Sequence, residues 1–502
     1  KCKERLKSME NMVESKENES QRNPKEIWLF LDEFNTSPDI GWFNELICNR
    51  SLDGVKIPDE IKILAACNPY RERKLNKQEN EWFGRDHLAQ YAYRVFPLCE
   101  TVKAHLWQFG SLPDLDERQY ILEMIKNRKK ELKRHLQTAF DNEVPFIVDK
   151  ICKSQAFVRT KLQDVATVSL RDVDRCLKIF IWLVNKNFTD DIRQCLVISM
   201  GVCYYYRLKA NEREEYQKVI TKDINFLENL KRERDIDRTN GGIKGDIICI
   251  IYLHYHDDSK FFVLVGDPGT SKTLSFQILK KNMCQSEIAN FRKRLKKESI
   301  DLKALHVVSF QCTQNSKAFR IQERWDQAMS HSDDKLIKLL LLDEIGLAEH
   351  SKHSPLKVLH YLLENPKISF VGLSNWPLDA AKMNRVIVHQ IPNDLDNDLK
   401  AIGEAIYKTE HTNLQQTHVD MLMEVFKELH KQISEQYILS KSKDNWLGRR
   451  DFYALIRHYM HNPVPSESFQ GIMRNLGGCR DPQFQRYVAE ILESVSRKSA
   501  TE

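Results

Sequence analysis

The sequence predicts an α/β fold repeated in tandem, and three observations carry that prediction. Two distant stretches read alike: WLFLDEFNTSP at 28–38 followed by IKILAACNPYR at 61–71, and LLLLDEIGLAE at 339–349 followed by ISFVGLSNWPL at 368–378. In each, a short apolar run ends in Asp-Glu, a helical segment follows, and a second apolar run ends in a small residue or cysteine and then Asn. That is the pattern of two buried parallel strands joined by a crossover helix. Upstream of the second copy, KFFVLVGDPGTSKTLSFQIL at 260–279 passes from a β-rich run through glycines into a helical pattern. Downstream of each copy, SLRDVDRCLKIF at 169–180 and GRRDFYALIRHY at 448–459 both carry Arg-Asp into an amphipathic helix. The repeat therefore covers a whole module.

The chain has 502 residues, 41% hydrophobic and 29% charged, which is enough for several cores in a globular protein of more than one domain. Its net charge of +6 is small for this length. The basic runs at 126–134 and 292–297 read as solvated helix faces, and no interleaved aromatic and basic stripe points to nucleic acid. The twelve cysteines form no Cys-x-x-Cys pair, so neither a zinc finger nor a disulfide framework is expected. Free thiols in apolar runs such as DIICIIYL at 246–253 fit a reducing, cytoplasmic setting. No apolar run approaches the roughly 20 residues of a bilayer span. The chain opens at Lys1 without methionine, and a fragment of something larger is expected.

Between the two copies, residues 207–238 are dense in charge with apolar residues at helical spacing, and the stretch stops at Thr239, Asn240, Gly241 and Gly242. It reads as a helical linker or as the last helix of the first module's lid.

The chemistry is expected at the strand, turn and helix of 260–279. Gly266 and Gly269, with Asp267, Pro268, Thr270, Ser271 and Leu274 in the same loop and helix start, let backbone N–H groups face an anion, and the helix N-terminus adds its dipole. Lys272 reaches the outer phosphates and the Thr273 hydroxyl ligates magnesium. The strict phosphate-loop pattern has a glycine where this chain has Ser271. Asp343, at a strand end, holds magnesium through water, and Glu344 orients the attacking water. An Asp-Glu after a strand is also an ordinary helix start, and the order of the parts favours the nucleotide. Asn375, at the tip of the next strand, contacts the γ-phosphate or the lytic water, and Arg450 contacts the phosphates from a helical lid.

This order of parts resembles an AAA+ ATPase. The stretches GDPGTSKTLSFQ at 266–277, VSFQCT at 308–313, LLLDEIGLAEHSKHSPLKVLHYLLE at 340–364 and FVGLSNWPLDAAKMNR at 370–385 closely resemble the mysterin family, very large RING-finger E3 ubiquitin ligases with a dynein-like ring of AAA+ modules in one chain. LFLDEFNTS at 29–37, LAACNPYR at 64–71, AYRVFPL at 92–98 and TVSLRDVDR at 167–175 look like the preceding module, and the pair resembles the third and fourth modules of that ring.

The resemblance implies tandem AAA+ P-loop modules, each a parallel five-stranded αβα sandwich with a helical lid, the first lacking its N-terminal P-loop part. Residues 1–115 are expected as the C-terminal part of the first large subdomain, 116–206 as its lid, 207–242 as a charged helical linker, 243–400 as the second large subdomain, and 401–502 as its lid with the start of the next linker. It further implies that Asp32 (metal), Glu33, Asn68 and Arg171 form part of a first site completed by Arg385 of the second module, while Arg94 serves a module not present. ATP and Mg2+ are the implied cofactors. Neighbouring modules of the same larger chain are the implied partners, with ubiquitin-system partners reached through absent regions. The competing expectations are a module in which ATP is structural glue with little turnover, and a dynein-like or ribosome-remodelling motor.

Overall fold

A computed structural model of the chain describes residues 26–72, 87–162, 167–185, 191–220, 261–290, 303–333, 336–363, 366–391 and 449–461, with single residues between 399 and 428 and at 486 and 490. The charged stretch beyond Ile220, the apolar run at 246–253, the basic run at 292–297 and most of 401–502 lie outside the described residues. The chain divides into two units, 1–117 with 379–381, and 118–378 with 382–502.

In the first unit, β1 (Ile27–Leu31) and β4 (Ile61–Ala65) pair in parallel, from Ile27 opposite Ile61 to Leu31 opposite Ala65. Between them lie the short helix α1 (Ile40–Asn44) and the hairpin of β2 (Ser51–Leu52) and β3 (Val55–Lys56). Strand alternation sends Leu29 and Leu31 to one face, where they pack with Phe34, Leu46, Leu52, Ile57 and Val102, the last from helix α2 (Glu100–Lys103). The other face was expected to be buried and is not. Trp28, Phe30 and Leu64 are exposed, because no described helix packs on that side.

The second unit opens with helices: α3 (Asp114–Arg128, from residue 118 onward), α4 (Arg134–Lys161), α5 (Leu170–Asn185), α6 (Ile192–Cys203) and α7 (Ala210–Ile220). The last lies in the charged stretch and is docked through Tyr216 and Ile220, both fully buried. A sheet follows, built from β5 (Phe261–Val265), β6 (Leu305–Gln311), β7 (Ile337–Asp343), β8 (Ser369–Ser374) and β9 (Ile387–Gln390), in the order β6-β7-β8-β5-β9 and parallel throughout. Parallel strands need both faces covered, which explains why Leu339, Leu340, Leu341 and Leu342 are all buried. One face of β7 and β8 packs on Phe276 and Leu279 of helix α8 (Lys272–Asn282) and on Met283 just after it. The opposite face meets Ile321, Trp325 and Ala328 of α9 (Ala318–Met329), Ile345 and Ala348 of α10 (Ile345–Glu349), and Leu359 and Leu362 of α11 (Lys357–Leu362).

The helices before the sheet share a core with its β5 and β9 edge, since Phe262 and Ile387 pack with Phe140, Phe180, Leu196 and Tyr204. Polar contacts reinforce the join. The Ser169 hydroxyl accepts from the Arg171 backbone N–H at 3.3 Å and the Asp172 carboxylate accepts from the Ser169 N–H at 2.9 Å, the reciprocal cap that starts α5. Asp172 is buried and also accepts from Arg175 at 2.8 Å and Arg207 at 3.0 Å. Arg175 in turn donates to the carbonyls of Asn384 and Val386, on either side of Arg385. At the far end of β9, Arg213 donates to the Gln390 carbonyl, and the His389 ring stacks on Tyr206 at 4.7 Å. Burial, aided by Arg213, pushes the His389 pKa down to about 3, so the ring is neutral at physiological pH.

Candidate nucleotide site

A parallel sheet gathers functional residues at the carboxyl ends of its strands, and this sheet does so at the ends of β5, β7 and β8. β5 leaves the sheet at Gly266, whose N–H donates to the Ser374 carbonyl at 3.1 Å. Asp267, Pro268, Gly269 and Thr270 then form a turn closed by the Thr270 N–H and hydroxyl on the Asp267 carbonyl, at 3.3 and 2.8 Å. Gly269 has φ +84°, the value its place in a type II turn after proline requires. A side chain there would also meet Arg449 at 3.2 Å, because the start of helix α12 (Arg449–His461) lies against the loop. Ser271 takes the left-handed conformation, φ 61°, immediately before α8, so the serine occupies a backbone state that glycine ordinarily serves.

Lys272 is buried and turns back over the loop. Its Nζ donates to the Gly266 carbonyl at 2.6 Å and to the Asp267 carbonyl at 2.9 Å. Desolvation lowers its pKa to about 8, against the pull of Glu344, Asp267 and Asp343, while Arg450 pushes the same way as burial. Thr273 and Leu274 point outward from the first turn of α8 and are exposed.

β7 ends at Asp343, whose carbonyl accepts from the Cys312 N–H at 2.8 Å and whose carboxylate accepts from the Glu344 N–H at 3.0 Å. Glu344 is left-handed, φ 52° and ψ 41°. Burial first, and the neighbouring Asp343 second, raise its pKa, against Lys272 and Arg450. Asn375 follows β8 and donates from Nδ2 to Glu344 Oε2 at 2.7 Å. Its flanks are fixed by a 2.6 Å bond from the Ser374 hydroxyl to the Trp376 carbonyl. Gly346 lets α10 approach this corner, since a Cβ there would lie 2.7 Å from both Ser374 Oγ and the Trp376 ring. Gly346→Ala is therefore expected to destabilise the second unit by about 1–3 kcal/mol, read as a lower urea midpoint. An unchanged midpoint would mean that the corner is loosely packed.

Lys272, Asp343, Glu344, Asn375 and Arg450 thus converge, and electrostatic coupling links Lys272 to Glu344, Asp343 and Arg450. In the first unit, Glu33 repeats the left-handed state of Glu344 with φ 49° and ψ 39°, directly after the exposed Asp32. The Asn68 backbone exchanges bonds with the Asn35 side chain at 2.8 and 3.2 Å, and Asn68 Nδ2 is buried without a hydrogen-bond partner among the described residues. Arg94 lies in the first unit, whereas Arg171 and Arg385 lie in the second, Arg171 exposed at the start of α5 and Arg385 partly buried before β9. Cys312, behind Asp343, escaped the sequence reading. Burial pushes its thiol up to about 12. Its apolar-strand context gave no signal of that proximity.

Thr273 and Asp343 each carry an oxygen donor of the kind an oxygen-loving cation takes. Among the described residues, no helix is long and apolar enough to cross a membrane.

Residues 239–398 match the family described as RNF213 AAA domain. The E3 ubiquitin-protein ligase rnf213-beta of Danio rerio is 29% identical over 528 residues, covering 90% of this chain and 10% of the relative. The E3 ubiquitin-protein ligase RNF213 of Homo sapiens is 28% identical over 537 residues, covering 91% and 10%. The chain thus spans about a tenth of the length of these curated relatives. The solved structure of C. elegans PCH-2 overlaps 54% of this chain and 68% of its own at 15% identity, with a TM-score of 0.24, too slight to bear on the fold. The parallel five-stranded sheet lies inside the matched stretch, and the chain is RNF213-like, similar to the RNF213 AAA domain over residues 239–398.

Proposed function

We propose that the second unit binds ATP with magnesium at the loop 266–273 and hydrolyses it, as one module of an AAA+ tandem in a larger ubiquitin ligase acting in the cytoplasm. The observation that supports this most is the 2.7 Å bond from Asn375 to Glu344 beside the buried ammonium of Lys272, at the carboxyl ends of adjacent strands. Gly266, Asp267, Pro268, Gly269, Thr270, Ser271 and Leu274 surround the phosphates, and Lys272 exchanges its two carbonyl partners for phosphate oxygens. Thr273 and Asp343 would hold magnesium, which screens phosphate charge when bound. Glu344, held by Asn375, orients the attacking water, and Arg450 answers charge on the phosphates from α12. Asp32, Glu33 and Asn68 are read in the matching roles, as part of a first site.

Lys272 makes the reading testable through pH. With a pKa of about 8 in the free protein, the ammonium is largely deprotonated at pH 9, and bound phosphate restores the charge. Binding of ATP with magnesium is expected to take up about one proton at pH 9 and close to none at pH 7. Affinity should fall as pH rises through 8. Calorimetry in buffers of different ionisation enthalpy measures the uptake, and Lys272→Arg, which stays charged, should abolish it. No ATP binding at either pH sinks the site. Binding without phosphate release would favour ATP as structural glue.

A further inference from the structure

Helix α7 reaches the phosphate loop through the last residues of β9. Arg213 of α7 is buried, and its guanidinium donates to the Leu208 carbonyl at 2.9 Å, to the Tyr206 carbonyl at 3.0 Å and to the Gln390 carbonyl. The same cation faces the Tyr205 and Tyr206 rings at 5.3 and 5.4 Å, and Tyr206 stacks on His389. One planar group thus ties the turn Tyr205–Arg207 to the end of β9, a task that suits the fixed fork of donors of a guanidinium and not the point charge of an ammonium. Gln390 lies opposite Val265, the last residue of β5, and the Ile391 N–H donates to the Val265 carbonyl at 2.7 Å. Ile391 then sits on the loop itself. A Cβ on Gly266 would lie 3.0 Å from Ile391 Cβ and 3.6 Å from its Cγ1, so Gly266 has no room to carry one while Ile391 keeps its place. The Gly266 carbonyl is in turn one of the two that hold the Lys272 ammonium, at 2.6 Å. Guanidinium, strand end, loop and lysine therefore follow one another in direct contact. Arg175 clamps the opposite end of β9, through the carbonyls of Asn384 and Val386.

We propose that Arg213 is a positioning residue for the phosphate loop: by fixing the Gln390 carbonyl it seats Ile391 against Gly266, and so fixes the carbonyl on which Lys272 rests before phosphate arrives. This role rests on the reading of 266–273 as a phosphate loop. Without the guanidinium, three carbonyls lose a donor, the end of β9 relaxes away from the turn, and Ile391 no longer confines Gly266. The loop then spends less of its time with Lys272 aimed at a phosphate, and apparent affinity falls with the fraction of chains ready to bind. Turnover of ATP already bound is affected little, because Glu344 and Asn375 stand at the ends of other strands, β7 and β8. A residue remote from the phosphates thus sets how tightly they are held, and any movement of α7 is felt at the loop.

The test compares Arg213→Lys and Ile391→Ala, singly and together, with Arg175→Lys, all in the whole chain. Arg175→Lys removes the same fork from the other end of β9 and measures what a merely structural loss does. Hydrogen exchange without nucleotide, followed by mass spectrometry, is expected to quicken about tenfold in peptides holding Gly266 and Ile391 in Arg213→Lys, and to stay near wild type there in Arg175→Lys. Binding of a fluorescent ATP analogue should weaken about 2- to 30-fold in Arg213→Lys and in Ile391→Ala, with little further loss in the double variant, while turnover at saturating ATP stays near wild type. Should Arg213→Lys fail to fold, Ile391→Ala, at a partly exposed position, carries both measurements. Four results overturn the proposal: loop exchange in Arg213→Lys no faster than in Arg175→Lys, unchanged Gly266 exchange in Ile391→Ala, additive losses of affinity in the double variant, or a fall in turnover at saturation with affinity unchanged. Absence of ATP binding by the wild type would instead refute the nucleotide reading, and the exchange arm would still decide whether Arg213 holds the loop.

Discussion

Glu344→Gln is expected to keep ATP bound while turnover falls about 10²- to 10⁴-fold, the range for losing a positioned base or water-orienting group. The glutamine amide has the shape of the carboxylate, and its oxygen can still accept from Asn375 Nδ2, so the corner keeps its geometry and loses only its charge. Lys272→Ala should behave differently. It removes the ammonium that now bridges the Gly266 and Asp267 carbonyls, and with it the proposed contact to the outer phosphates, so binding itself should fail. Equilibrium binding of a fluorescent ATP analogue and steady-state phosphate release separate the two effects. Unchanged turnover in Glu344→Gln, or wild-type binding by Lys272→Ala, would refute the assigned roles. Because burial and Asp343 raise the Glu344 pKa, activity should also decline on the acid side, as protonation cancels the charge.

The second large effect is on stability. Asp172 is 2% exposed and holds two guanidinium groups, Arg175 and Arg207, so Asp172→Ala leaves two buried cations without their carboxylate. A loss of about 3–5 kcal/mol is expected in urea unfolding followed by circular dichroism. The loss comes from stranded charge and not from the ion pairs as such. Replacing Asp172, Arg175 and Arg207 together by apolar residues of similar size should recover much of it. If the single variant costs less than about 1 kcal/mol, water reaches the network and it does not clamp β9.

Local chemistry was legible in the sequence. A β-rich run, a Gly-Pro-Gly neighbourhood and a helical run announce strand, turn and helix by composition alone, and the two Asp-Glu pairs mark strand ends because the apolar runs stop there. The Arg175 contacts were not legible. They join residues more than two hundred positions apart, and an arginine within a charged helical pattern reads as solvent-facing until the fold buries it. The face of Trp28 and Phe30 misled in the opposite direction, since an apolar run states that burial is wanted and not that the covering helix is at hand. Nor does a sequence show that Glu33 and Glu344 are left-handed, because only glycine advertises that state.

Those two glutamates set the direction in which such a protein can be improved. A left-handed backbone costs an L-residue roughly 1–2 kcal/mol, which glycine does not incur. A laboratory selection for heat tolerance alone would therefore drift toward glycine at 33 and 344, and each gain in hardiness there would discard a carboxylate.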